Sequence, residues 1–226
     1  MMYDWRYMIS TIVAEAKSAA PWVGNPTISP NVLNAMAKVP RHEFVPPNLI
    51  KSAYANNPLP IGYDQTISQP YIVALMTDLL VPESNDVILE VGTGSGYQAA
   101  VLSSLVRQVY SLEIVPELAQ AAKARLERLG YDNVDVRHGN GREGLPQHGP
   151  YDGIVVTAAA DGVPPALMDQ LKPEGRLVIP VGGGRSFSQE LWVLYRDAEG
   201  QFHRENVLPV AFVPLTGSSP AEEFTE

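Results

Sequence analysis

One short stretch of this chain combines residue types able to hold a ligand. Glu90 is followed by Gly92, Gly94 and Gly96, directly after the apolar run Val87-Ile-Leu89. Apolar residues leading into spaced glycines read as a buried strand, a tight turn and then a helix, and such a turn lets a ligand approach bare backbone. Twenty-one positions beyond Gly92, the run Gln108-Val-Tyr-Ser-Leu-Glu113 ends on a second acid. An acid at the tip of the next strand can accept hydrogen bonds from both hydroxyls of a ribose. Together the two features imply a cofactor that contains a nucleoside.

The glycine spacing decides which cofactor. A dinucleotide loop follows G-x-G-x-x-G, but here the third glycine comes one residue early and Tyr97 stands where that pattern needs glycine. No Gly-Lys-Ser/Thr follows to hold β- and γ-phosphates. A nicotinamide dehydrogenase is therefore disfavoured. The loop instead resembles the E/D-x-G-x-G-x-G motif of S-adenosylmethionine-dependent methyltransferases.

Other chemistries lack their residues. With no cysteine there is no disulfide scaffold, thiolate zinc site or catalytic thiol, and the four histidines (His42, His138, His148, His203) show no ligand spacing, so no metal is expected. The 16 basic and 25 acidic side chains leave a net charge of −9, which argues against nucleic acid or an anionic membrane as partner. Asp4, Arg6 and Glu15 interrupt the apolar residues of Met1 to Lys17, which is expected to be neither a signal peptide nor a membrane span. A cytoplasmic monomer is the expectation.

These residues must be positioned by the elements around them. Met8, Ile9, Ile12, Val13 and Ala16 recur at helical spacing, so a helix is expected at the N-terminus, stopping in the loop Ala20-Pro-Trp-Val-Gly-Asn-Pro26. Ser29-Pro30 caps a second helix that Pro40 ends, and Ser68 reads as the N-cap of a third with Pro70 in its first turn. From Asp86 strands are expected near 86–91, 107–113, 133–138, 151–157 and 175–181, with helices near 97–105, 116–129 and 164–171. Such alternation implies an α/β fold with a doubly wound, mostly parallel sheet. The runs Leu191–Arg196 and Phe202–Leu215 should then add an antiparallel hairpin at the sheet edge. At 226 residues the chain fits a single domain. Within it, 1–70 would form a helical and active-site-loop extension, 71–216 the core and 217–226 a disordered tail.

Further segments are more specific. Val39-Pro-Arg41 with Phe44-Val45, Leu59-Pro-Ile-Gly62, Gln65-Thr-Ile-Ser-Gln-Pro70, Glu90-Val-Gly-Thr-Gly-Ser-Gly96, His138-Gly-Asn-Gly141, Val156-Thr-Ala158 and Phe212-Val-Pro-Leu215 occur in this order. Together they resemble the protein L-isoaspartate O-methyltransferase family, from about Val39 to Leu215. The part before about Ser29 matches poorly and looks longer than in a typical member.

The resemblance implies a Rossmann-like methyltransferase fold and methyl transfer from S-adenosylmethionine to the free α-carboxylate of isoaspartyl residues in proteins and peptides. The methyl ester closes to a succinimide that partly hydrolyses to normal aspartate, so the activity is repair. A carboxylate, with a reference pKa near ~4, is already ionised at neutral pH and needs no general base. Orientation and water exclusion are what remain for the enzyme to supply.

By the same resemblance Ser68 is the catalytic donor beside the methyl group, a role compatible with a helix cap. Thr66, Ile67, Ser68 itself, Glu90, Gly92, Gly94, Gly96, Glu113, Asn140, Gly141 and Thr216 would hold the cofactor. Thr157, Ala158 and Val213 would border the substrate. Asn140 departs from the family's aspartate, which accepts a hydrogen bond from the adenine amino group; asparagine can still accept, without charge, though Asn140-Gly141 also reads as a plain turn. Two other readings keep the cofactor: a carboxyl methyltransferase for normal aspartyl peptides or small acids, and a binding protein without turnover.

Overall fold

Prolines, glycines and capping residues set the element boundaries. The structure, a computed structural model, describes residues 4–24, 27–183 and 186–217, with the backbone alone for 186 and 187. In chain order it contains α1 (Trp5–Val23), α2 (Pro30–Lys38), β1 (Leu59–Gly62), β2 (Gln65–Ile67), α3 (Pro70–Leu79), β3 (Val87–Val91) and α4 (Tyr97–Ser103). There follow β4 (Gln108–Glu113), α5 (Pro116–Arg128), β5 (Val134–His138), β6 (Tyr151–Val156), α6 (Pro165–Asp169), β7 (Leu171–Gly183), β8 (Ser186–Arg196) and β9 (Phe202–Val210). Proline opens four of the six α-helices, α2, α3, α5 and α6, where its missing N–H is not needed.

Seven strands form one sheet in the order β5-β4-β3-β6-β7-β8-β9. The first five run parallel, and β8 and β9 continue antiparallel. This is the expected doubly wound sheet with its C-terminal hairpin. The chain steps from β3 to β4 on one side and returns through β6 on the other, so the strand order reverses between β3 and β6. Ligands of open α/β sheets bind at the carboxyl ends of strands flanking such a reversal. One buried cluster runs from Met8 and Ile12 of α1, through α2 to α4, to Val207 of β9, so the N-terminal helices share the core of the sheet.

Four local expectations change. The first helix does not stop at Ala20 but continues through Pro21 to Val23, ending where Gly24 turns left-handed at φ 73°. Pro21 and Lys17 are both exposed, so the carbonyl deprived of a donor can face water. The stretch Pro58-Leu-Pro60, which reads as proline-rich connection, leads into and begins the hairpin of β1 and β2. Ser68 is not the cap of α3, because Gln69 occupies that position and makes no side-chain capping bond. Finally, the last strand ends at Val210 rather than Leu215. There the chain leaves β8, and the Gln189 side chain replaces the lost pairing by donating to the Phe212 carbonyl (3.1 Å) and accepting from its N–H (2.6 Å). Pro214 then bridges to Ala159. The expected disordered tail lies, from 218 onward, outside the described residues.

Candidate active site

The turn after β3 brings backbone and acid together. Gly92, Gly94 and Gly96 all have positive φ, at 95°, 52° and 87°. A β-carbon at Gly92 would be strained by its conformation and would collide with Thr157 Oγ1 at the end of β6, so the turn stays bare where it meets the neighbouring strand. Glu113, at the end of β4, is buried and receives the loop: Oε2 accepts from the Gly94 N–H at 2.7 Å and Oε1 from the Val115 N–H at 3.0 Å. Each oxygen keeps a further lone pair for a ligand hydroxyl.

Glu90 lies beneath this turn rather than in it. It is fully buried, and the Ser111 hydroxyl from β4 donates to its Oε2 while Thr93 lies 2.5 Å from Ser111 Oγ. Its Oε1 has no partner among the described residues. Burial first, and the nearby Glu113 charge, push its carboxyl up to about 8, against the pull of the Ser111 bond. Glu90 is thus mainly a neutral acid at pH 7, bracing the turn from below.

Three small-to-large spaces meet around these residues. A crevice of about 50 Å³ is bordered by Gly92, Gly94, Glu113, Gly141, Thr157, Ala158, Val213 and Thr216. A second, of about 30 Å³, lies between Thr66, Ile67 and Ser68 on one side and Gly92 to Ser95 on the other. The third is a groove of about 700 Å³ between the C-terminal half of α1 and the segment Leu208 to Val213, with Ser68 and Thr157 in its floor. Thr66 and Thr157 border all three.

Most of the residues singled out from sequence therefore converge. Gly141 belongs because a β-carbon there would strike Val91. Gly96 is one step removed and starts α4 in a left-handed conformation. Asn140 is engaged locally: its Oδ1 accepts from the Arg142 N–H (3.1 Å) and its Nδ2 donates to Glu143 (2.9 Å), which caps the single turn Gly141–Glu143. The turn reading of Asn140-Gly141 is thus present in the structure. The Thr157 hydroxyl donates to the Gly92 carbonyl at 2.5 Å, so its proton is committed to fixing the turn.

Sequence reasoning missed two contributions. Glu15, Ser18 and Trp22 of α1 wall the groove, and helical periodicity marks only the buried side of a helix, not what its exposed side faces. Arg41, quoted only as part of a motif, donates from Nη2 to the Ser68 carbonyl at 2.7 Å. Among the described residues no group of three or more His, Cys, Asp or Glu could hold a metal.

Known proteins share the sequence and the fold of this chain. Residues 25–220 match the family model described as protein-L-isoaspartate(D-aspartate) O-methyltransferase. A protein-L-isoaspartate O-methyltransferase 2 of Syntrophobacter fumaroxidans is 57% identical over 93% of this chain and 85% of its own length. A protein of the same description from Nitrosococcus oceani is 55% identical over 96% and 98%. A solved protein-L-isoaspartate O-methyltransferase superposes with a TM-score of 0.81 at 28% identity, over 92% of this chain and 66% of that one. A Plasmodium falciparum structure containing S-adenosyl-L-homocysteine shares the fold with a TM-score of 0.74 at 24% identity, over 91% and 97%. The helix α1 lies before the first residue matched by the family model.

Proposed function

The chain belongs to the protein-L-isoaspartate(D-aspartate) O-methyltransferase family, and we propose that its site methylates the free α-carboxylate of L-isoaspartyl residues in damaged proteins, starting their repair through a succinimide. The observation that carries this reading is the junction at Ser68 and Thr157, where a glycine-lined crevice opens into a groove wide enough for a peptide.

The residues fit S-adenosylmethionine. The bare turn at Gly92, the free lone pairs of Glu113 and the small residues Gly141 and Ala158 suit a nucleoside end, with Thr216, Thr66 and Ile67 closing around it. When bound, this cofactor supplies a methyl carbon on a cationic sulfur that departs as a neutral thioether. Everything else falls to the chain. The substrate carboxylate arrives ionised, so no side chain has to remove a proton. Ser68 donates a hydrogen bond to one carboxylate oxygen and leaves the other free to attack, which orients the nucleophile without neutralising it. Thr157, its own proton bound to Gly92, acts with Ala158 and Val213 as a wall. Asn140 supports the adenine end through Gly141, whose single turn it caps.

We read the enzyme as a cytoplasmic monomer acting on isoaspartyl proteins and peptides, and not on nucleic acid or membranes. The net charge of −9 supports that choice of partner. The test uses S-adenosylmethionine labelled in its methyl group with paired peptides, one isoaspartyl and one aspartyl. Label in the isoaspartyl peptide alone is the expected result; label in the aspartyl peptide alone would sink the reading.

A further inference from the structure

Arg41 sits where a cation has little reason to be if only stability were at stake. It follows Val39-Pro40 in the single turn Arg41–Phe44 and is fully buried. Among the described residues it forms no ion pair with a carboxylate. Its Nε donates to the Ala53 carbonyl at 2.8 Å, its Nη2 to the Ser68 carbonyl at 2.7 Å, and its guanidinium carbon lies 4.7 Å from the centroid of the Tyr97 ring. Its Nη1 has no acceptor among the described residues. Burial draws the group down only to about 10, so it stays charged at neutral pH. A packed apolar side chain could fill such a place at equal or better stability, because desolvating an ion costs more than imperfect partners return.

What the guanidinium does achieve is a link between three segments. Tyr97 is the first residue of α4, immediately after the glycine turn; Ser68 leads into α3; Ala53 follows the short helical segment Pro47–Ser52. Ser68 is not held by a capping bond to α3, and the bond to its carbonyl comes from 27 residues away in the chain. That bond fixes the peptide plane after Ser68 and, through it, the direction of the side chain.

We propose that Arg41 is the positioning residue for Ser68: by gripping its carbonyl while stacked on Tyr97, it sets the serine hydroxyl against the glycine turn, and it acts on methyl transfer through that serine. The proposal rests on the role of Ser68 given above. Arg41 is not a catalytic residue, since it touches neither substrate nor cofactor.

A double-mutant cycle on the full-length protein separates positioning from general support. The four proteins are wild type, Ser68→Ala, Arg41→Lys and the double variant, with Arg41→Met as a second series. Lysine keeps the charge but can reach only one of the two carbonyls. In the wild-type background Arg41→Lys should lower kcat about tenfold and Arg41→Met about 100-fold, with KM for the peptide and Kd for S-adenosylmethionine changed less than about threefold. In the Ser68→Ala background neither change should lower kcat by more than about twofold. Equal losses in both backgrounds would overturn the proposal. Should Arg41→Met not fold, the lysine series decides the matter. Amide hydrogen exchange gives a readout independent of activity: residues 66–69 should exchange faster in Arg41→Lys than in wild type, and unchanged protection there would also overturn it. A wild type that labels no isoaspartyl peptide defeats the functional reading instead, and the exchange result then stands alone as the test of positioning.

Discussion

Glu90 holds a carboxyl group out of reach of water, with one oxygen bonded to Ser111 and the other without a partner among the described residues. Its folded-state value of about 8 lies above the ordinary 4.5, so between these limits the folded protein keeps a proton that the unfolded chain has lost. Stability is therefore greatest, as far as this group decides, at acid pH, and falls as the pH rises toward 8. The loss is at most about 1.4 kcal/mol per pH unit. Glu90→Gln removes the titration while keeping the shape. The variant's melting temperature should gain on that of wild type between about pH 5 and about pH 8, then run parallel to it. A constant offset across that range would mean that Glu90 is ionised when folded. Sequence spacing located Glu90, the glycines and Glu113, because a turn and two strand tips at fixed separation leave a local mark. It did not locate the Ser111 and Thr93 support, since the partners of a buried acid are set by strand register, here Glu90 beside Ser111 on adjacent strands.

The element with the least local signal of its purpose is α1. Its buried side, Met8, Ile12 and Ala16, is plain from periodicity. Its other role is visible only once β9 and the segment after it are placed opposite. Trp22 is 66% exposed at the end of the helix, on the rim of the groove that Ser68 floors. Glu15 is the one charged side chain among the described residues lining that groove. Trp22→Ala should raise KM for an isoaspartyl peptide about three- to tenfold, the scale expected for losing one aromatic contact, and leave kcat and cofactor affinity nearly unchanged. Peptides with lysine beside the isoaspartyl residue should also be preferred to those with glutamate, a preference that Glu15→Gln reduces. An unchanged KM in Trp22→Ala would make α1 a packing element only. The hairpin of β1 and β2 was hidden for a related reason: Pro58-Leu-Pro60 looks like connection, and two strands of four and three residues leave too few alternations to read.

Across the whole molecule the sheet order carries the most consequence. Reversal between β3 and β6 puts Gly92 and Thr157 side by side, and the chain's return at Pro214 beside Ala159 closes the crevice from the far side. Strand and helix alternation made the parallel sheet legible from sequence, and the run Phe202 to Leu215 pointed to its hairpin. That run did not show where the strand would stop, because Gln189, from another strand, ends the pairing by substituting its side chain. In the proposed reading, the crevice at Ser68 and Thr157 is where the methyl group passes and the adjoining groove holds the peptide, and repair requires more than a single transfer. The most direct measurement follows an isoaspartyl peptide by chromatography during long incubation with the protein and S-adenosylmethionine. The account predicts that the isoaspartyl form declines over repeated cycles while the aspartyl form accumulates, and only with cofactor present. An isoaspartyl peptide that persists unchanged, or an aspartyl peptide consumed in its place, would contradict it.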